Sequence, residues 1–320
     1  MAIEREIGAG GDLPQSPLGM EQVDIIEQTV EVPFDANLAE YIDESDLSVV
    51  ASDIVSDIED DLSSRQEWED TYKSGVELLG MSYEERSQPF EGATGVVHPL
   101  LAESVTQFQA QAYRELLPAG GPVRTQVIGA EDQGRLAQAD RVKDYMNYQI
   151  TYEMEEYDPE TDQMLFYLPL AGSTFRKVYF DPLRQRAVSK FVHAEDLVVP
   201  YGATDLATSP RITHVIHMDR NEIKKLQLSG FYSDVELPGE GYADDDYSDV
   251  QESIDNAQGV KPVGQSEELT LYEVHIELDL EGFEDMGDDG EETGLKLPYI
   301  ITICEKNNAV LSVRRNYEQQ

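Results

Sequence analysis

Apolar residues recur with the period of a helix along the first half of the chain. From Ser52 to a stop at Gly80 they lie three or four positions apart, except for one longer step between Leu62 and Trp68. A second helical pattern ends at Pro118, a third covers about residues 131–156, and a shorter one starts near Pro159. The second and third patterns predict two core-facing stripes, namely Leu101, Val105, Phe108, Ala112 and Leu116, then Leu136, Ala139, Val142, Met146, Ile150 and Met154.

Strand patterns dominate the second half. A lone strand is expected at 123–129, a hairpin with the turn "DPLRQ" follows within 175–190, and "VHAEDLVVP" continues extended. Asp219 and Glu222 form a capping box that opens a helix closed by Gly230. The remaining strands are predicted at "RITHVIHM", "LTLYEVHIELDL", "PYIITIC" and "AVLSVRR". We therefore expect an α+β fold, a helical domain with β-hairpins and a small C-terminal antiparallel β module.

The charge is distributed in blocks. The net charge is −42 over 320 residues. Residues 1–62 hold 17 acidic residues against one arginine, and residues 231–295 hold 21 against one lysine. Such local acidic blocks are typical of solvated or flexible segments. We expect four segments: a mobile acidic arm (1–45), an α+β domain (46–231), an acidic flexible insert (232–268) and an antiparallel β segment (269–320). The last ends directly after a strand, which predicts that the chain is a fragment of a longer protein.

The composition limits the function classes. An acidic chain repels phosphate, so tight electrostatic binding of DNA is not expected as a global property. The single cysteine, Cys304, excludes an internal disulfide and fits a reducing compartment. The N-terminus lacks the apolar core of a signal peptide. The longest uncharged stretch, residues 163–175, is too short to span a bilayer, and no membrane association is expected.

The sequence was searched for motifs of catalytic and cofactor-binding sites, and none has the required spacing. The loop "GATGVVHP" has two glycines, Gly92 and Gly95, but lacks the lysine and the spacing of a phosphate-binding loop. His214 and His217 are three apart on a predicted strand and would point to opposite faces. The loop at Asp285 resembles a calcium loop but has Lys296 where the bidentate glutamate belongs. We expect no enzyme activity, no cofactor and no metal site.

One segment is locally basic. Residues 176–190 carry five cations, against Asp181 alone. One interpretation is a basic hairpin that forms salt bridges with acidic helices of its own fold. The other is a contact with an acidic neighbouring subunit or a phosphate backbone. The candidate subunit-interface residues are Arg176, Lys177, Arg184, Arg186 and Lys190.

Three stretches together resemble the portal proteins of tailed bacteriophages, most closely the large portals of short-tailed phages. They begin "RQEWEDTYKSGVELLG", "FRKVYFDPLRQRAVSK" and "PYIITICEKNNAVLSV", and run over residues 65–118, 175–232 and 298–320. The resemblance covers about residues 60–320 apart from the acidic inserts. It rests on a family-wide pattern and not on a catalytic signature.

The resemblance implies a head-to-tail ring, usually a dodecamer, at one capsid vertex of the virion, assembled in the host cytoplasm. Such a head–tail connector serves DNA packaging and genome ejection. Its partners would be the large terminase subunit, the major capsid protein, tail adaptor proteins and double-stranded DNA passing through the channel. The chain would correspond mostly to the wing region, ending before stem, clip and crown.

Two other classes stay open. An acidic DNA-mimic or inhibitory binding protein would carry its charge along an ordered surface. A metal-dependent nuclease or hydrolase would use Asp/Glu clusters, for which no spacing in the sequence gives support.

Overall fold

The computed structural model describes residues 32–80, 90, 92, 98–130, 132–181, 184–239, 268–287 and 291–316. Over these residues the chain is a mixed α+β fold with an antiparallel hairpin and a larger, C-terminal antiparallel sheet, which confirms the expected fold class. The helices are α1 Glu44–Ser64, α2 Gln66–Leu79, α3 Leu100–Leu116, α4 Gln133–Tyr148, α5 Tyr157–Ala171 and α6 Arg220–Leu228. The strands are β1 Phe175–Asp181, β2 Arg186–Val192, β3 Leu197–Val198, β4 Arg211–Asp219, β5 Glu268–Leu278, β6 Leu297–Cys304 and β7 Ala309–Arg315.

The chain folds as two compact units. Of the described residues, those within 1–60, 202–243 and 267–320 form unit 1, and those within 61–201 form unit 2. Residues 202–231 therefore lie with the C-terminal strands, whereas the sequence grouped them with the helices. The structure does not test the other predicted segment boundaries, and most of the acidic insert lies outside the described residues.

Unit 1 is built on an antiparallel sheet in which β4, β5, β6 and β7 lie in this order. Long β-branched and apolar strands form it, as predicted. The helix α6 begins at Asp219, whose side chain accepts a hydrogen bond from the Asn221 N–H at 2.6 Å. One face of the sheet packs on this helix through a cluster of buried side chains, namely Ile223, Tyr232, Leu237, Leu269, Leu271, Cys304 and Leu311.

The N-terminal side of unit 1 contacts β7 through several side chains, among them Arg314 and Arg315, and Asn37 makes the buried part of this contact. Asn37 Oδ1 accepts the Val313 N–H at 2.9 Å, and its Nδ2 donates to the Leu311 carbonyl at 3.2 Å and to Ser233 Oγ at 2.9 Å. The next residue, Leu38, is fully buried in a short 3₁₀ helix, Leu38–Glu40. Together with the Ser233 N–H, which donates to the same Leu311 carbonyl at 2.7 Å, the amide takes the place that a further strand would occupy beside β7.

Unit 2 holds a smaller core between helices and hairpin. Its buried residues include Tyr72 and Val76 on α2, and Trp68 donates its indole N–H to the Ala171 carbonyl at the end of α5. The ring of Trp68 stacks on Tyr72 with 5.4 Å between centroids. This packing fixes α2 against α5, on which the hairpin lies.

The prediction of a single helix over Ser52–Gly80 is wrong, because the chain forms α1 and α2 with a break at Arg65. The guanidinium of Arg65 donates to the carbonyls of Glu195 at 2.6 Å and Leu197 at 3.1 Å. These contacts within unit 2 hold the break in place. In the sequence, the longer step between Leu62 and Trp68 marks the position of this break.

The strand expected at 123–129 is also wrong. The segment is extended but pairs with a side chain: Asn147 Oδ1 accepts the Val123 N–H at 2.9 Å, and its Nδ2 donates to the Val123 carbonyl at 3.2 Å. Gly121, at φ +90°, makes the close approach possible, since a Cβ there would lie 2.4 Å from Asn147 Oδ1. The N–H and the carbonyl of Val123, which a neighbouring strand would otherwise bind, are therefore bound by the side chain of Asn147 on α4.

The third predicted helix is shorter than expected, and its stripe does not form a core. The α-helix ends at Tyr148 and continues as one π-helical turn, Gln149–Glu153. No residue of α4 is buried. Leu136, Val142 and Met146, expected inward, are 45%, 44% and 41% exposed. On α3 only Val105 of the predicted stripe is buried, while Phe108 and Leu116 are exposed.

Candidate subunit interface

The basic hairpin, formed by β1, β2 and their turn, brings the five predicted interface residues onto one element of unit 2. Its register pairs Arg176 with Phe191, Lys177 with Lys190 and Asp181 with Arg186. The turn reaches the left-handed region at Gln185, φ 54°. The five cations are thus close in space, but their side chains have different surroundings.

Arg186 is bound within its own unit. Its two terminal nitrogens donate to the two carboxylate oxygens of Glu156, each at 2.8 Å, in the two-pronged geometry that favours arginine over lysine. Both side chains are largely buried, with 23% and 16% exposed. The hydrogen bonds from Arg186 lower the pKa of Glu156 to about 2. This pair fastens the hairpin to the start of α5.

A second carboxylate extends the same contact. Glu160, one helical turn beyond Glu156, accepts the Phe191 N–H at 2.7 Å, and Glu156 Oε1 also accepts the Ser189 N–H at 3.3 Å. The two N–H groups are alternate amides of β2. The carboxylates of α5 therefore occupy the edge of β2 that faces the helix, where another strand would otherwise bind.

Arg176 is likewise directed into unit 2. Its guanidinium lies 4.4 Å from the centroid of the Tyr157 ring, and its Nη2 donates to Thr161 Oγ1 at 2.5 Å. The Arg176 Nε is buried and has no hydrogen-bond partner among the described residues. This arginine holds the hairpin on α5 and is not presented to a partner.

The other three cations differ in exposure. Arg184 is exposed, with its Nε 3.6 Å from Asp181 Oδ2. Lys190 is exposed too, whereas Lys177 opposite it is half-buried, with its Nζ 5.8 Å from the centroid of the Tyr179 ring. The exposed cations of the predicted interface are therefore Arg184 and Lys190.

An open cleft of about 360 Å³ lies beside the hairpin within unit 2. His193 borders it, and burial lowers the pKa of this histidine, which keeps the imidazole neutral at pH 7. Its ring packs against Tyr167 and Phe191 at 4.7 and 4.4 Å between centroids. Gln109, which also lines the cleft, donates to Asp162 Oδ1 at 2.8 Å. The walls show amide, carboxylate and aromatic packing, without a nucleophile activated by a base.

The other sequence candidates fall in different places. Gly92 has φ +88°, while Gly95 lies outside the described residues. His217 approaches Thr270 Oγ1 at 3.4 Å across the paired strands β4 and β5. Asp285 closes a local turn by accepting the Thr293 hydroxyl at 2.7 Å. Among the residues that the structure describes, no cluster of three or more His, Cys, Asp or Glu side chains could hold a metal ion.

Within the described ranges, no helix combines the length and the apolar character needed to cross a bilayer. No protein-family model matches the chain, and no curated protein matches it.

Proposed function

We propose that the chain is a subunit of a bacteriophage portal, the ring-shaped channel at one vertex of the capsid. A head-to-tail ring requires each copy to present two unlike, complementary faces. The observation that carries the proposal is the presence of such faces in one chain, a basic hairpin in unit 2 and a helix, α1, that has seven acidic residues and no basic residue.

The residue pattern that resembles portals supports the same proposal. It includes α2, α3, the basic hairpin, β4, α6 and the pair β6–β7, most of the elements that the structure describes. In this role the chain catalyses no reaction and needs no cofactor. It would meet the large terminase subunit, the major capsid protein and tail adaptor proteins in the virion, and an acidic channel wall would let DNA pass without being held.

The particle mass of the full-length protein that contains this chain, measured by light scattering, tests this function. We expect a closed assembly of about a dozen copies, visible as rings in negative-stain electron microscopy. A full-length protein that remains monomeric or dimeric at all concentrations would contradict the portal proposal.

A second candidate is an acidic DNA-mimic or inhibitory binding protein. One observation favours it, since α1 arranges its carboxylates along an ordered helix. Such a protein would act as a monomer or dimer and would compete with DNA for a basic DNA-binding protein. Competition by the wild type that is lost when Asp53 and Glu59 become lysines, in a protein that forms no ring, would select this candidate.

A further inference from the structure

The outer edge of β1 presents backbone groups in the position of an edge strand. On β2, Ser189 and Phe191 donate their N–H groups to carboxylates of α5, so these groups point away from β1. The residues opposite them are Val178 and Arg176. In an antiparallel pair, two such opposite residues both direct their N–H and carbonyl groups away from each other. Arg176, Val178 and, by alternation, Phe180 therefore direct their backbone groups to the outer side of β1.

This edge is exposed and apolar. Val178 and Phe180 are 65% and 61% exposed. In the part of the chain that the structure describes, no residue binds their outward backbone groups. The edge of β2 is covered by carboxylates of α5, and that of β7 by Asn37 and the Ser233 N–H. Of these three edges, the one on β1 has kept the properties of a template for another strand.

The groups on the edge select an extended polypeptide as the partner. N–H and carbonyl groups alternate along β1, and a strand about 4.8 Å away presents the complementary row. A nucleic acid has no such row, because its phosphate oxygens are acceptors only. A hairpin of a second copy would bring its own exposed Arg184 and Lys190 towards the same cations, which disfavours pairing between two β1 strands.

The side chains of β1 specify the two faces of such a strand. Val178 and Phe180 lie on one face, which favours apolar and β-branched neighbours. Lys177 lies on the other face, directly opposite Lys190 of β2, and this favours carboxylates. Asp181 shares the second face, but its carboxylate lies 3.6 Å from the Nε of the turn arginine. The fitting partner is a strand with apolar residues on one face and acids on the other.

The chain contains one stretch of this kind outside the described residues. Residues 23–31, "VDIIEQTVE", hold five β-branched residues in nine positions, with three carboxylates and no cation. Ile26 and Val30 share one face of an extended chain, and Glu27 and Glu31 share the other. By contrast, residues 240–267 hold four β-branched residues in 28 positions.

We propose that residues 23–31 add to the outer edge of β1 as a further strand. The apolar pair of the segment lies on the face of Val178 and Phe180, and its glutamates lie on the face of the lysines. The nine residues precede Val32, where the described chain begins, and span about 30 Å when extended. The inference goes beyond the proposed portal function and does not rest on it.

Hydrogen exchange of the whole chain tests the added strand. In the wild type, the outward amides of Val178 and Phe180 should exchange slowly. Thr29→Pro together with Val30→Pro should accelerate both on the order of tenfold or more, because one of two consecutive N–H groups must face β1 and proline has none. The matched control carries Ala9→Pro with Gly10→Pro, which lie outside the segment.

Two results of this measurement would overturn the inference. One is fast exchange at both amides in the wild type. The other is protection that survives the two prolines at positions 29 and 30.

Photocrosslinking identifies the partner. The residue p-benzoylphenylalanine replaces Phe180, and chains of natural isotope composition are mixed with chains labelled with heavy nitrogen. We expect crosslinks to residues 23–31, and the isotope pattern reads whether the segment belongs to the same molecule or to a second copy. The control carries the probe at Tyr201, which is 87% exposed and belongs to the same unit. Crosslinks from position 180 to nucleic acid, or to any other segment, would contradict the proposal.

Charge reversal tests the orientation of the strand. Glu27→Lys with Glu31→Lys should lower the crosslink yield from position 180 about threefold or more, because lysines then meet lysines. Glu4→Lys with Glu6→Lys changes the net charge equally and should leave the yield unchanged. Far-UV circular dichroism checks that the variants remain folded, and equal losses for the two pairs would refute the assigned faces.

Discussion

The two units of the chain use apolar residues in opposite ways. In unit 1 the strands bury most of theirs, and Leu271, Ile223 and Leu311 are fully enclosed, while Leu228 at the end of α6 is exposed. In unit 2, α3 and α4 leave leucines, a phenylalanine and several tyrosines half exposed. The comparison shows that a regular spacing of apolar residues predicts only that one face of a helix will be covered. It does not predict whether the covering residues belong to the same chain or to a neighbouring molecule.

The largest expected difference in the free energy of unfolding is between two leucine-to-alanine substitutions, one in each unit. Leu271→Ala, in the core of unit 1, should lower the free energy of unfolding by about 2–5 kcal/mol, because it leaves a cavity. Leu136→Ala, on α4, should lower it by about 1 kcal/mol or less in the unassembled protein. Urea unfolding of both variants measures the contrast, and equal losses would show that α4 is as well enclosed as the sheet.

The next effect concerns Asn37. Asn37→Ala should lower the free energy of unfolding by about 1–3 kcal/mol, because it leaves the buried Val313 N–H without its acceptor. The Leu311 carbonyl loses one hydrogen bond and keeps the one from the Ser233 N–H. Hydrogen exchange at the Val313 amide should accelerate along with the loss of stability. The control is Asn307→Ala, whose side chain makes two exposed hydrogen bonds, one to the Glu236 carbonyl and one from the Ala309 N–H. Similar costs for the two variants would contradict the fastening role of Asn37.

A smaller effect depends on pH and is confined to unit 2. The pKa of Glu156 is about 2 in the folded protein, against an ordinary 4.5, so the carboxylate form is favoured by folding. The stabilisation is present above pH 4.5 and is lost as the pH falls towards 2. The stability difference between the wild type and Glu156→Gln should therefore shrink over this window. A difference that stays constant from pH 6 to pH 2 would argue against the Arg186 contact.

The smallest effect on stability is expected for the outward cations of the hairpin. Arg184→Glu with Lys190→Glu should leave the melting temperature nearly unchanged, because neither residue packs in the unit. Any weakening of self-association should be strongest at low salt. Arg186→Glu is the contrasting variant, since it places a second acid beside Glu156 and should loosen the hairpin even in the monomer. Equal melting temperatures for both changes would refute this division of the basic residues.

The elements that could be predicted from the sequence are those whose partners are close in the chain. The hairpin, α6 behind Asp219, and the C-terminal strands follow from turn residues, caps and β-branched runs. The break at Arg65 could not be located with certainty, because the carbonyls that hold it come from residues 195 and 197. The extended segment at Val123 was taken for a strand because its partner is a side chain, Asn147.

The candidate interface shows the same limit. The sequence placed five cations on one hairpin, and the structure does bring them together. It could not separate Arg176 and Arg186, which are bound at the start of α5, from the exposed Arg184 and Lys190, because this depends on where Glu156 and Tyr157 lie in space. The exposure of Tyr145 and Tyr148 on α4 could not be foreseen either, because the leucine and methionine stripe on the same helix matched the pattern of a core.

The amide of Asn37 also determines how the sheet of unit 1 can fail. While it holds Val313 and Leu311, no extended chain can be added to β7 at these positions. Once it is released, the Val313 N–H is opened, while the Leu311 carbonyl keeps the hydrogen bond from the Ser233 N–H at 2.7 Å. Two segments of the same chain therefore close this edge, and a strand from another molecule would have to displace both of them before it could begin a polymer.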